Sequence, residues 1–221
     1  MPELPEVETV RTWLDARLPG AEIAAFELRR PNLRLPMPAQ ALSGLVGRRF
    51  AAVRRRAKYL CIDLTDRRGD ECAGLLVHLG MSGRLFVSDP ASLDALDGGE
   101  PTDDGGPPFL RHEHWRATLM QGGRVSWLRY EDARRFGVLD VLMCPAPPHG
   151  DAAFDNRRPD ADQHPLLDHL GIEPLSEQFD GAWLYQATRN VRTAIKAVLM
   201  DAHRVVGVGN IYANEALYFA G

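Results

Sequence analysis

The sequence predicts an α+β protein: an N-terminal β-sandwich flanked by one helix, followed by a helical domain. Three observations carry this. An amphipathic helical pattern opens the chain. Apolar alternation with a period of two, broken by turn residues, then recurs up to residue 143. Beyond a Pro-, Asp- and Gly-rich stretch at 144–163 the apolar spacing becomes helical. The 221 residues suffice for two small domains. These are placed at 1–150 and 165–221, with a linker at 151–164.

In chain order, Val7, Val10, Leu14 and Leu18 share one face of a helix over 5–18, which Pro19-Gly20 ends. Strands are expected at 22–29 and 49–55. At 59–65, Leu60, Ile62 and Leu64 alternate with more polar neighbours. The more continuously apolar 74–79 suits a buried strand, and Gly80-Met81-Ser82-Gly83 turns it into 84–87. The acidic, Gly- and Pro-rich stretch at 89–108 is expected to be a solvated loop lying away from any DNA-binding face. Strands follow at 115–120 and, after the Gln121-Gly122-Gly123 turn, at 124–130. Residues 134–143 supply a last strand, and helices are expected at 165–170, 181–188, 193–201 and 211–219. No internal repeat is present.

No apolar run approaches a membrane span, and the acidic start lacks the build of a signal peptide, so a cytoplasmic protein is the default. Cys61, Cys72 and Cys144 are odd in number and far apart, without a C-x-x-C pair. Structural thiols fit this better than a zinc site or a disulfide framework. The net charge of −4 argues at first against a nucleic-acid partner. Six of the 30 acids, however, lie between Asp89 and Gly106, where there is no Lys or Arg; the remaining 24 stand against 26 bases, a net of +2. Bases cluster at Arg48, Arg49, Arg54, Arg55, Arg56 and Lys58, and again at Arg129, Arg134 and Arg135. Such clusters are either phosphate-facing or solvated surface.

Five stretches hold candidate chemistry. Met1-Pro2-Glu3-Leu4-Pro5-Glu6 would expose the secondary amine of Pro2 once Met1 is removed. An α-amine with a pKa near ~8 is partly unprotonated at neutral pH and forms Schiff bases with carbonyl carbons, the C1′ aldehyde of a damaged deoxyribose among them. Pro5 and Glu6 suit the first turn of a helix that would hold the terminus rigidly. Many chains begin Met-Pro, so these residues do not decide alone. Val205-Val206-Gly207-Val208-Gly209-Asn210-Ile211-Tyr212 suits a helix corner, with Asn210 as N-cap and the backbone N–H groups beyond it as a phosphate site; taken alone, a plain corner is the simpler reading. Glu131-Asp132-Ala133-Arg134-Arg135-Phe136-Gly137 sets two arginines beside a ring, as phosphate binding and insertion between base steps require, and Met81 at its turn is a second candidate wedge. Burial of Phe136 and Met81 would fit the same residues. His112-Glu113-His114 offers two metal ligands without a third, so phosphate contact or surface placement is the simpler reading.

Taken together, Met1-Pro2-Glu3-Leu4-Pro5-Glu6-Val7-Glu8-Thr9, Arg55-Arg56-Ala57-Lys58-Tyr59-Leu60, 78–83, Arg134-Arg135-Phe136-Gly137 and 205–215 closely resemble the formamidopyrimidine-DNA glycosylase family, bacterial base-excision enzymes for oxidised purines. The motifs run in register from the first residue to the last. The resemblance implies a helical domain carrying a helix–two-turn–helix motif, and a bifunctional glycosylase and AP lyase. It implies Pro2 as the nucleophile, Glu3 as the acid assisting ring opening, Lys58 at the β-elimination step, and Glu6 in support. Met81, Arg134 and Phe136 match the trio that fills the gap left by a flipped nucleotide. Arg192, Lys196 and Asn210 match phosphate-binding positions, Arg135 joins them, and His112 falls at a DNA-contacting histidine.

The implied partner is double-stranded DNA containing oxidised bases or abasic sites, met by a monomeric, cytoplasmic, nucleoid-associated bacterial protein. The family ends in a four-cysteine zinc finger, whereas this chain ends at Gly221 without those cysteines or the finger's arginine. The expectation is therefore an incomplete helical domain, no cofactor in this chain and a truncated product. Ala133 replaces a proline common before the Arg-Arg-Phe motif. Leu4 and the Val7-Glu8-Thr9 continuation favour the purine branch over an endonuclease VIII-like oxidised-pyrimidine glycosylase. A catalytically inactive damaged-DNA-binding fragment is the alternative of another class.

Overall fold

The computed structural model describes residues 2–68, 72–90, 108–143 and 164–221. Helix α1 (Leu4–Asp15) starts where the sequence places a proline in the first turn, and the Glu6 side chain accepts the Glu3 N–H at 2.8 Å. Leu4, Val7 and Leu14 turn inward. The helix stops three residues before the expected end: the N–H groups of Arg17 and Leu18 both bond to Leu14 O, closing a tight turn before Gly20, which takes φ 86°.

The strands are β1 (Glu22–Leu28), β2 (Arg49–Arg56), β3 (Tyr59–Thr65), β4 (Cys72–His78), β5 (Arg84–Ser88), β6 (Glu113–Gln121), β7 (Arg124–Glu131) and β8 (Val138–Met143). They form one antiparallel sheet in the order β5-β7-β6-β1-β2-β3-β4-β8. The link between β1 and β2 is the single pair Glu22↔Arg49. Around that link the sheet folds into two four-stranded layers. Ile23, Trp115, Ala117, Leu128 and Tyr130 of one layer and Phe50, Leu60, Ile62, Leu75 and Val77 of the other share one core, which is the sandwich expected. Bulges in β1, β2 and β6 accommodate the folding. A short helix α2 (Ala39–Ser43) was not anticipated; five residues carry too little period to show.

β8 begins at Val138 rather than at residue 134, because residues 134–137 are spent on a turn in which Arg135 adopts φ 57°. α1 is fastened to β2 by Asp15, whose carboxylate accepts the Val53 N–H at 2.8 Å.

The second unit holds α3 (Gly181–Thr188), α4 (Ile195–Leu199) and α5 (Asn210–Ala220). Asp180 caps α3 through the Trp183 N–H at 2.6 Å. Residues 165–170 form turns instead of the expected helix: the Leu167 and Asp168 amides both bond to His164 O and the Leu170 N–H reaches back only to Leu167 O, so no run of helical bonds develops. Leu167 packs with Cys61, Leu76 and Leu142 on the outer face of the sheet, which is why β3 is buried on both sides.

Among the described residues no helix is long and apolar enough to cross a membrane. Most of the acidic stretch (91–107) and the proposed linker except His164 lie outside the described residues, so the expected placement of Asp94, Asp97 and Asp103 falls there too.

Candidate active site

The start of α1 meets the start of α5. Glu3 is 3% exposed, and its carboxylate accepts three backbone N–H groups: Gly209 at 3.0 Å, Ile211 at 2.9 Å and Tyr212 at 3.2 Å. These donors open α5, so a side chain more than 200 positions away in sequence caps that helix. This corrects two expectations. The N-cap is Gly209, with Asn210 the first helical residue and exposed, and two of the amides expected to receive phosphate are taken by Glu3. Glycine is required at the contact, since a Cβ on Gly209 would lie 2.3 Å from Glu3 Cδ. One turn earlier the Leu4 N–H bonds to Gly207 O at 3.1 Å. Pro2, half-buried, and Glu6 line a cleft of about 560 Å3 together with Leu79, Phe86, Leu110, Arg84 and Glu131.

Lys58 reaches the segment before α5 from the β2–β3 turn. Its Nζ donates to Val208 O at 3.2 Å, within reach of the Glu3 and Glu6 carboxylates. Burial pulls its pKa below the ordinary lysine value, with the two carboxylates opposing. Ala57 precedes it at φ 53°, and the Ala57 N–H donates to Glu173 Oε1 at 2.7 Å. Glu173 also accepts from Arg55 (2.7 Å) and Arg56 (3.3 Å), while Arg56 bonds the carbonyls of Leu170 and Gly171. Three arginines of the cluster are partly buried and paired, Arg54 with Asp63, Arg55 with Glu8 and Glu173, and Arg56 with Glu173, whereas Arg49 is an exposed partner of Glu22. For Arg55 and Arg56 both the phosphate-facing and the solvated readings give way to a structural one, in which Glu173 seats the Lys58 turn against the helical unit, while Arg49 stays on the solvated surface.

The candidate wedge is assembled as the sequence suggests in part. Met81 is 42% and Phe136 48% exposed, Arg134 is exposed, and Arg134 Nη1 lies 3.6 Å from Met81 Sδ. The residue that organises them was missed. Asp132 is fully buried and accepts from Ser82 Oγ (2.5 Å), the Arg134 N–H (3.2 Å), the Gly137 N–H (2.9 Å) and Tyr130 OH (3.2 Å). Its signal was an aspartate just before a turn, a pattern that favours side chain-to-backbone bonding. Burial, with Asp132 adding to it, pushes the Tyr130 phenol far above its ordinary pKa, so it stays a donor.

The other candidates separate. His112 is exposed, but Glu113 is wholly buried against Arg129 at 3.2 Å and His114 Nε2 lies 2.7 Å from Asp132 O, so the three face different partners. Arg135 and Arg192 are exposed and Lys196 is half-buried. His78, not singled out beforehand, is held at a pKa of about 4 by burial and by the charges of Lys58 and Arg34; its Nδ1 accepts the Gly80 N–H at 2.9 Å. Among the described residues no group of three or more His, Cys, Asp or Glu side chains is placed to hold a metal. The chain's three cysteines, with Cys61 buried in β3, do not fit a four-cysteine zinc site.

Residues 1–139 match the formamidopyrimidine-DNA glycosylase N-terminal domain, and residues 170–221 match the formamidopyrimidine-DNA glycosylase H2TH domain. Over its full length the chain is 42% identical to the formamidopyrimidine-DNA glycosylase of Paracoccus denitrificans and 45% identical to that of Dechloromonas aromatica, covering 68% of each. It is similar to Lactococcus lactis Fpg solved with abasic-site DNA, at 28% identity and a TM-score of 0.73, covering 99% of this chain and 66% of that one. A second similar structure is an inhibited LlFpg with N7-benzyl-Fapy-dG DNA, at 29% identity and a TM-score of 0.74, covering 99% of this chain and 68% of that one. The chain thus spans about two thirds of its relatives' length. The chain belongs to the formamidopyrimidine-DNA glycosylase family.

Proposed function

We propose that this chain carries the chemistry of a bifunctional glycosylase and AP lyase that removes oxidised purines, 8-oxoguanine and formamidopyrimidines, from double-stranded DNA. The observation that carries the reading is the meeting of Pro2, Glu3, Glu6 and Lys58 where α1 abuts α5. With Met1 removed, the Pro2 amine attacks C1′. The C1′–N bond breaks, the base leaves with its electron pair and takes up a proton, and an iminium remains between Pro2 and the opened sugar. Glu3 takes up the proton that the Pro2 nitrogen gives up as the iminium forms and passes it to O4′ as the C1′–O4′ bond breaks, which opens the ring. A base then removes a C2′ proton, and the C3′–O bond breaks to release the 3′ phosphate. Lys58 suits that step, because burial lowers its pKa and so makes the amine easier to deprotonate.

Met81, Arg134 and Phe136 enter the gap left by the flipped nucleotide, offsetting part of an unstacking cost of a few kcal/mol. Arg135, Arg192, Lys196, Asn210 and His112 hold phosphates. The protein acts as a cytoplasmic, nucleoid-associated monomer and needs no cofactor for these steps. Borohydride trapping on a duplex with 8-oxoguanine opposite cytosine tests the reading at a stated salt concentration. A covalent adduct is expected from the processed chain, and its absence would reduce the function to DNA binding. One similar structure is L. lactis Fpg with oxidised-pyrimidine DNA, which supports including an oxidised pyrimidine as a second substrate.

A further inference from the structure

We propose that Asp132 is the positioning residue of the wedge: its buried carboxylate locks the turn bearing Met81 to the turn bearing Arg134 and Phe136, so that the three side chains enter DNA as one rigid head. The proposal rests on the reading of those three residues as a DNA wedge.

Asp132 lies in the turn after β7, yet its bonds do not stay in that turn. Oδ1 receives the hydroxyl of Ser82, fifty positions earlier in the β4–β5 turn, at 2.5 Å, and the Arg134 N–H at 3.2 Å. The Arg134 N–H is shared with Ser82 Oγ, also at 3.2 Å, which closes a three-membered hydrogen-bonded ring across the two turns. Oδ2 receives the Gly137 N–H and Tyr130 OH, which fixes the end of the turn just beyond Phe136.

Backbone sits against backbone at this junction. A Cβ on Gly80 would lie 2.5 Å from the carbonyl carbon of Phe136, and one on Gly137 would fall 1.7 Å from Tyr130 OH. The turns therefore cannot move independently while Asp132 holds them. An ionised carboxylate accepts at every lone pair, which suits four donors. Two exposed apolar side chains on separate loops would otherwise each have to be ordered on entering the duplex, and a rigid base removes that cost beforehand.

Two variants test this. Asp132→Asn keeps the shape but turns one acceptor into a donor facing donors. Ser82→Ala cuts only the link between the turns. The main readout needs no chemistry: 2-aminopurine beside a tetrahydrofuran abasic analogue in a duplex brightens as the wedge unstacks it, followed by stopped flow. The second is borohydride trapping on an abasic site in a single strand, where no stack has to be opened. Both variants are expected to slow the fluorescence rise by about tenfold or more, equivalent to a barrier change of ~1.4 kcal/mol. Trapping on the single strand should stay within about twofold of the wild-type chain. Wild-type insertion rates in both variants overturn the proposal, and so does an equal loss of insertion and trapping, which would make Asp132 a general fold residue. Failure of the wild-type chain to trap would count against the lyase reading alone, because the fluorescence arm still decides the role of Asp132.

Discussion

Replacing Glu3 with glutamine tests the junction of terminus and helical unit in the free protein. Oε2 accepts from Gly209 and Tyr212 and Oε1 from Ile211. A glutamine can keep its oxygen where two amides converge, but its NH2 then faces the Ile211 N–H, donor against donor. Leaving such a donor unpaired costs ~1–3 kcal/mol, with the low end appropriate because that amide is only part-buried. Losing the carboxylate at the N-terminus of α5 adds ~0.5–1 kcal/mol, and the two remaining bonds lose their charge assistance, together ~1 kcal/mol more. The sum is about 3 kcal/mol, or about 6–12 °C in Tm for a chain of this size. Urea and thermal unfolding of Glu3→Gln without DNA, followed by tryptophan fluorescence, measures it. A stability within ~1 kcal/mol of wild type would refute the capping role and leave Glu3 with chemistry alone.

Three further predictions follow from the same contacts. Gly209→Ala should cost ~1–3 kcal/mol and lower borohydride trapping, because its Cβ would displace the Glu3 carboxylate; unfolding and trapping on the one variant check both. His78 has a folded pKa of about 4, below its unfolded value near ~6.5, so only the unfolded chain binds a proton between those values. Its contribution is complete above pH ~6.5 and declines as pH falls towards 4, by up to about 3 kcal/mol, and His78→Asn, which keeps an acceptor for the Gly80 N–H, should flatten that slope in denaturant titrations at pH 4.5 and 7. Glu113→Leu alone should destabilise by ~3–5 kcal/mol by stranding Arg129, whose Nε and Nη2 already lack partners, whereas Glu113→Leu with Arg129→Met should approach wild-type stability; a double-mutant cycle with no coupling would contradict this.

Much of the scaffold was readable because its signals are local. Leu60, Ile62 and Leu64 alternate on one face of β3, which runs over the residues expected, and the glycine pair at 122–123 marks the β6–β7 turn. The helix over 181–188 likewise carries its own cap and period. What escaped depends on partners distant in sequence. Nothing near Gly209 announces that its helix is capped by Glu3, and nothing near Glu173 shows that it grips the Lys58 turn. The run of arginines at 54–56 read as surface because its carboxylate partners come from Glu8, Asp63 and Glu173, in three separate segments. Asp132 was visible as a turn aspartate, but Ser82, which makes it a bridge between turns, lies fifty positions away. The terminus, Lys58 and the wedge residues were legible only as a set of motifs in register; their convergence belongs to the tertiary structure.

The most direct test of the account is to locate the covalent bond. The Met1-processed chain, trapped with borohydride on DNA carrying 8-oxoguanine opposite cytosine, would be digested and the modified peptide sequenced by mass spectrometry, beside a chain whose terminal amine has been acetylated. The account predicts the sugar remnant on the nitrogen of Pro2 and no adduct from the acetylated chain. An adduct on Lys58 or another lysine, or undiminished trapping after acetylation, would contradict it.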